Sequence, residues 1–95
     1  MENDFQHIGN LIKDLIRNNG WEDSVIASRI PEIWYELLGE QGRRVTRFRY
    51  FEEGKLHIEV LSAPWRAELI LRRHDLIAQI NERCGRSIVT ELIIR

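Results

Sequence analysis

The amino-acid sequence predicts an α+β domain in the order α-α-β-β-α-β, a three-stranded mixed sheet with its helices on one face. Three observations carry this. Apolar residues recur with a helical period from Phe5 to Leu38, and the period drops to two between Val45 and Ser62. A Ser-Ala-Pro triplet at 62–64 then opens a second helical region, which stops at Gly85 ahead of a short β-branched terminus.

The elements follow in order. Residues 4–18 form an amphipathic helix through Phe5, Ile8, Leu11, Ile12, Leu15 and Ile16, and Asn18-Asn19-Gly20 stops it. A second helical stretch covers about 21–40, with Trp21, Val25, Ile26, Ile33, Trp34, Leu37 and Leu38 on its apolar side. Pro31 lacks an N–H and restricts Ile30, so the helix restarts there, and Gly39-Glu-Gln-Gly42 ends it. In Val45–Glu52, Phe48 and Tyr50 share one face, while Val45, Arg47, Arg49 and Phe51 share the other. In Lys55–Ser62, Leu56, Ile58 and Val60 lie opposite His57, Glu59 and Leu61, and Glu53-Gly54 turns the hairpin.

Ser62 is a hydroxyl N-cap with Pro64 in the first turn of a helix that continues to Cys84. Trp65, Leu69, Ile70, Leu76, Ile77, Ile80 and Cys84 cover its broad face, and Arg73 falls inside that stripe. Such an arginine must snorkel or pair, with Glu36 or Glu32 as the expected partner. Ser87–Ile94 is the last strand, with Ile88, Leu92 and Ile94 on one side and Val89, Glu91 and Ile93 on the other. The strand–helix–strand step sets it parallel to the second strand. The sequence ends inside that strand, with no tail expected.

The 95 residues are enough for one domain, 1–95. At 43 % hydrophobic and 31 % charged the composition is globular, which excludes wholesale disorder. No apolar run approaches the roughly 18 residues of a membrane span, and the acidic start does not have the form of a secretory signal. Cytoplasmic location is the default. Cys84 is alone, so an internal disulfide and a cysteine zinc site are both excluded. His7, His57 and His74 have no metal-ligand spacing, and neither a phosphate-cradling glycine loop nor a nucleophile–base signature is present. No enzyme activity, metal or cofactor is expected.

Near-neutral charge conceals an asymmetry. Residues 1–40 hold three basic and eight acidic side chains, while residues 41–95 hold eleven basic and seven acidic. Twelve of the fourteen basic residues are arginine, whose planar fork of donors suits phosphate or carboxylate. A G+C-rich genome or ion pairs between the two halves explains the same bias.

Three stretches resemble a known family. The first is Ile33-Trp34-Tyr-Glu-Leu-Leu-Gly39, a tryptophan a few residues before a glycine. The second and most specific runs from Gly54 to Leu69, joining a glycine, the alternating strand and the Ser62-Ala-Pro-Trp65 helix entry. The third is Leu76-Ile77-Ala-Gln-Ile80-Asn81 through Gly85, followed by Ile88-Val89 and Ile93-Ile94-Arg95. Over about 25–95 the chain is similar to the bacterial DciA-like family, long catalogued as a domain of unknown function. The resemblance implies a fold similar to a K-homology domain, with the 4–18 helix packed on it, and a role in DNA replication. Such proteins load or recruit the replicative helicase and bind DNA. A K-homology Gly-x-x-Gly loop joins two helices, whereas Gly39-Glu-Gln-Gly42 here joins a helix to a strand and carries an acid. Its function is therefore not transferred. Longer relatives add a disordered tail.

The nucleic-acid candidates are Arg43, Arg44, Arg47 and Arg49, with Arg66. Arg43, Arg47 and Arg49 alternate along the first strand at ~6.7 Å per two residues, near the spacing of successive phosphates. Phe51 or His57 offers a stacking surface beside them. The plainer reading is a solvated face on which Glu52, Glu59 and Glu91 balance the arginines. The candidates for docking a protein partner are Leu61, Val89 and Ile93, with Phe51, on the open sheet face, and Glu36 and Glu40 on the acidic helices. The alternatives to a DNA-binding replication module are a pure protein-interaction module and an RNA-binding one.

Overall fold

The computed structural model describes residues 21–95, so the helix expected at 4–18 and its packing lie outside the described residues. The described chain runs α1 (Trp21–Ala27), α2 (Ile30–Val45), β1 (Thr46–Glu52), β2 (Lys55–Val60), α3 (Ala63–Leu71), α4 (Arg73–Cys84) and β3 (Glu91–Ile94). The fold is α+β. The sheet order is β1-β2-β3, with β1 antiparallel and β3 parallel to the central strand.

The chain breaks at Ser28-Arg29 and restarts with Pro31 in the first turn of α2, as a residue without an N–H allows. The expected stop at Gly39–Gly42 holds only at Gly39, which interrupts the helix without ending it. Gly39 adopts φ 74°, which bends α2, but the helix resumes and runs to Val45. Gly42 permits this, because a Cβ there would sit 2.3 Å from that of Leu38. Arg43 and Arg44 are consequently helical.

At the hairpin tip both Glu53 (φ 50°) and Gly54 (φ 79°) have positive φ, the type I′ geometry that matches strand twist. The Ser62 hydroxyl accepts from the Trp65 N–H at 3.4 Å and caps α3. The single helix expected over 62–84 is two. At Arg72 the N–H is shared between the carbonyls of Glu68 (3.1 Å) and Leu69 (3.2 Å), which tightens the turn. This lets α3 lie on β2 and β3 while α4 packs on α2 and β3. Ile70, expected in the core, is exposed.

Gly85 ends α4 in the left-handed conformation. The Asn81 amide then donates to the Val89 carbonyl and accepts from its N–H, both at 2.9 Å, and thereby holds 87–90 irregular. The last strand is therefore shorter than expected.

Ile30, Ile33 and Trp34 of α2 meet Leu56, Ile58 and Val60 of β2, together with Leu69, Leu76, Ile80, Val89 and Leu92, in one core. Glu36 pairs with Arg83 at 3.5 Å rather than with Arg73. Arg73 is half-buried, and its Nε is buried without a hydrogen-bond partner. Arg86 bridges to Asp23 (2.8 Å) and Glu22 (3.4 Å), tying the end of α4 to α1.

Candidate nucleic-acid interface

Leu56, Ile58 and Val60 alternate into the core beneath the helices, which turns Lys55, His57 and Glu59 to the opposite face of the sheet. Arg47 pairs with Glu59 and so stands on that outer face. Phe48 pairs with Ile58, yet Tyr50 pairs with His57, so Arg49 is an extra residue in a β-bulge. One inserted residue reverses the parity of everything after it. Phe51 pairs with Leu56 and packs against the core, while Tyr50 stands on the outer face and is 49 % exposed. Both outcomes reverse the expected alternation.

The bulge builds a platform. The rings of Tyr50 and His57 stack with centroids 4.0 Å apart and planes at 20°. Ile93 of β3 pairs with His57 on the far side. Arg49, Glu59 and Arg95 complete a groove of about 330 Å³ around these three residues. Among the described residues, the side chains of Arg49, Glu59 and Arg95 make no hydrogen bond or ion pair with any protein group. An uncommitted pair of guanidiniums beside stacked rings can hold a phosphate while a base stacks.

The other predicted arginines are placed differently. Because α2 extends to Val45, the alternating strand row reduces to Arg47 and Arg49. Arg47 Nη1 donates to the carbonyls of Thr46 (2.9 Å), Arg43 (3.2 Å) and Arg44 (3.4 Å), setting a cation against the negative end of α2. The Arg43 guanidinium lies 5.2 Å from the Tyr35 ring centre. The Tyr35 hydroxyl accepts from the Phe48 N–H at 3.0 Å, which occupies a donor on the outer edge of β1. Arg44 pairs with Glu40 at 3.4 Å across exposed side chains, a contact of little energetic weight. Arg66 is half-buried and donates from Nη2 to the Val60 carbonyl at 2.7 Å, pinning the first turn of α3 to the end of β2. The structure thus gathers Arg43, Arg44 and Arg47 at the α2–β1 junction, sets Arg49 in the groove, and engages Arg66 with the backbone.

The apolar docking patch expected on the outer face does not form. Val89 is buried in the core, because the Asn81 clamp holds its backbone off the sheet, and Phe51 is turned inward by the bulge. Leu61 is exposed just past β2, and Ile93 is half-buried in the groove. Glu36 and Glu40 stand exposed on α2, beside a groove of about 770 Å³ that includes Pro31, Glu32 and Tyr35.

Sequence reasoning did not single out Tyr50 and Arg95, and it read Glu59 only as a charge balancing the arginines. Arg95 carried a readable signal, since it continues the Glu91, Ile93 alternation. The bulge hid Tyr50. Burial raises the pKa of the Cys84 thiol, an effect partly offset by Arg29 nearby, which disfavours the thiolate. Among the described residues, no cluster of three His, Cys, Asp or Glu is placed to hold a metal ion, and no helix is long and apolar enough to cross a membrane.

Comparison with known proteins adds a family to this geometry. The family model described as Dna[CI] antecedent, DciA, matches residues 7–94. A UPF0232 protein of Corynebacterium glutamicum (strain R) is 27 % identical over 89 residues, covering 94 % of this chain and 50 % of its own. UPF0232 proteins of Mycobacterium ulcerans (strain Agy99) and Mycobacterium marinum (strain ATCC BAA-535 / M) are each 29 % identical over 91 residues, covering 96 % of this chain and 49 % of theirs. The chain spans about half the length of the curated relatives it matches.

Proposed function

This chain belongs to the DciA family, and from that premise we propose that it is a non-enzymatic replication accessory module, a recruiter of the replicative helicase that grips single-stranded DNA on the outer face of its sheet. The observation that carries the DNA reading is the Tyr50–His57 ring stack bordered by Arg49 and Arg95. Ring stacking is worth about 1–3 kcal/mol per base and tolerates any sequence, while the arginines follow the backbone. We read the α+β order as similar to a K-homology domain but assign binding to a different surface. Gly39-Glu-Gln-Gly42 forms the kink of α2, with Gly42 packed against Leu38, and we assign binding to the outer sheet face in its place. Such a module acts in the cytoplasm, where the chromosome is.

Anisotropy titration of a labelled 12-nucleotide strand and a matching duplex at several salt concentrations tests this. Micromolar or tighter binding to the single strand is expected, weakening with salt and falling at least tenfold in Arg49→Glu. Flat titrations at low salt refute it. Stronger binding of the RNA version of the strand would make the module an RNA binder.

A second reading is favoured by the acidic groove along α2, where Glu32, Glu36 and Glu40 gather around Tyr35. There the module docks a protein partner, the helicase by family resemblance, without touching nucleic acid. Glu36→Lys/Glu40→Lys would then abolish helicase capture while leaving DNA titrations flat throughout.

A further inference from the structure

The proposed DNA reading leaves one residue of the groove unexplained. Glu59 is half-buried, on the central strand, between Arg49 and Arg95. A groove serving phosphate alone gains nothing from a carboxylate, which repels the ligand. Nor does a partner within the fold account for it. Its cross-strand neighbour Arg47 turns its guanidinium to the carbonyls ending α2, and among the described residues Glu59 makes no hydrogen bond or ion pair.

Resting on that reading, we infer that the groove holds one unpaired guanine, its ring continuing the Tyr50–His57 stack over Ile93, its phosphate on Arg49 and Arg95, and its Watson–Crick edge on the Glu59 carboxylate. The two rings stand side by side on adjacent strands, so their stack runs across the sheet and its next layer falls over β3, where Ile93 pairs with His57. Glu59 lies two residues along β2 from His57 on the same face, a separation of ~6.7 Å, which is within reach of the edge of a base in that layer.

The choice of base follows from donor counting. An ionised carboxylate only accepts hydrogen bonds. Guanine presents two adjacent donors, N1–H and N2–H, to its two oxygens. Adenine and cytosine set one amino group beside an acceptor nitrogen, and thymine sets one N–H between two carbonyls, so each brings a lone pair against the negative charge. In a duplex the same guanine edge is taken by cytosine, so the contact also demands an unpaired strand.

The test compares full-length wild type and Glu59→Gln on three 12-mers by anisotropy: all thymine, thymine with one central guanine, and the same strand with hypoxanthine there, which lacks the N2 amino group. One guanine is expected to tighten wild-type binding on the order of tenfold, with hypoxanthine losing most of that gain. Glu59→Gln should bind all-thymine as well as or better than wild type and reduce the guanine advantage to within about twofold, with an unchanged thermal midpoint. Binding of all three strands equally by wild type, or an undiminished guanine advantage in Glu59→Gln, overturns the inference while leaving the DNA reading intact. No binding to any strand at low salt overturns both.

Discussion

The indole N–H of Trp34 donates to the hydroxyl of Thr46 at 3.1 Å, and that hydroxyl donates onward to the Gly42 carbonyl at 2.7 Å. Both residues are fully buried, and Thr46 is the one buried polar residue among the described residues. The relay joins the centre of α2 to its own last turn and to the first residue of β1. It therefore sets where the helix stops and at what angle the strand begins. Every position on the outer face is counted from that start.

Thr46→Val keeps the shape but leaves the Trp34 indole N–H buried without a partner, while the Gly42 carbonyl retains the Thr46 backbone N–H. The expected loss is about 1–3 kcal/mol. In a domain of this size that lowers the thermal midpoint by roughly 4–8 °C per kcal/mol. Melting followed by circular dichroism measures it, and a midpoint within a degree of wild type would show that the relay contributes nothing.

Arg47 and Arg49 stand two residues apart but differ in what they hold. Arg47→Ala removes a cation and its hydrogen bonds from the end of α2, with an expected cost of about 0.5–2 kcal/mol. Arg49→Ala removes an exposed side chain that makes no hydrogen bond or ion pair within the described residues, so the midpoint should stay put while the salt dependence of strand binding loses about 0.7 of a unit in slope. Paired melting and salt-titration series separate the two, and a matched stability loss in both variants would contradict this division.

Tyr50→Ala takes one ring from the platform and should weaken single-strand binding by about 1–3 kcal/mol, whereas Tyr50→Phe keeps the stack and should bind as wild type. Duplex binding, which offers no free base face, should change far less in both. Equal losses for strand and duplex would point to a general electrostatic effect.

Cys84 should be slow to react. Burial holds its thiol above the ordinary value of 9.0, so less of it is thiolate at neutral pH than in an unstructured peptide. A group with a raised folded pKa stabilises fully below its unfolded value and loses that contribution as pH climbs above it. Stability should therefore fall as pH rises from about 9 in wild type and fall less in Cys84→Ala. Alkylation rates with and without denaturant, and urea midpoints between pH 8 and pH 10.5, measure both effects.

Most element types were legible in the sequence, because local chemistry dictates them. Pro31 restarts a helix, Glu53-Gly54 turns a hairpin, Ser62 caps and Gly85 terminates, and each acts through its own backbone. The alternation of Leu56, Ile58 and Val60 identified the buried face of β2. The site was legible only in part. Arg49 lies on the outer-face groove as its strand position suggests, but Val89 and Phe51, expected on the outer face, both belong inside.

The sequence by itself determined the succession of helical and strand regions, the parallel pairing of the last strand with the second, and the family, though not the break at Arg72 that divides the last helical region in two. Tertiary structure decided which side chains of β1 share a face. A strand's faces are counted modulo two, so a single inserted residue at Arg49 exchanges Tyr50 for Phe51. That insertion is fixed by how the ends of the strand are tied, Thr46 to Trp34 on α2 at one end and the Glu53-Gly54 turn at the other, between which β1 has one residue too many for β2. Periodicity records local preference, and it carries no information about that surplus.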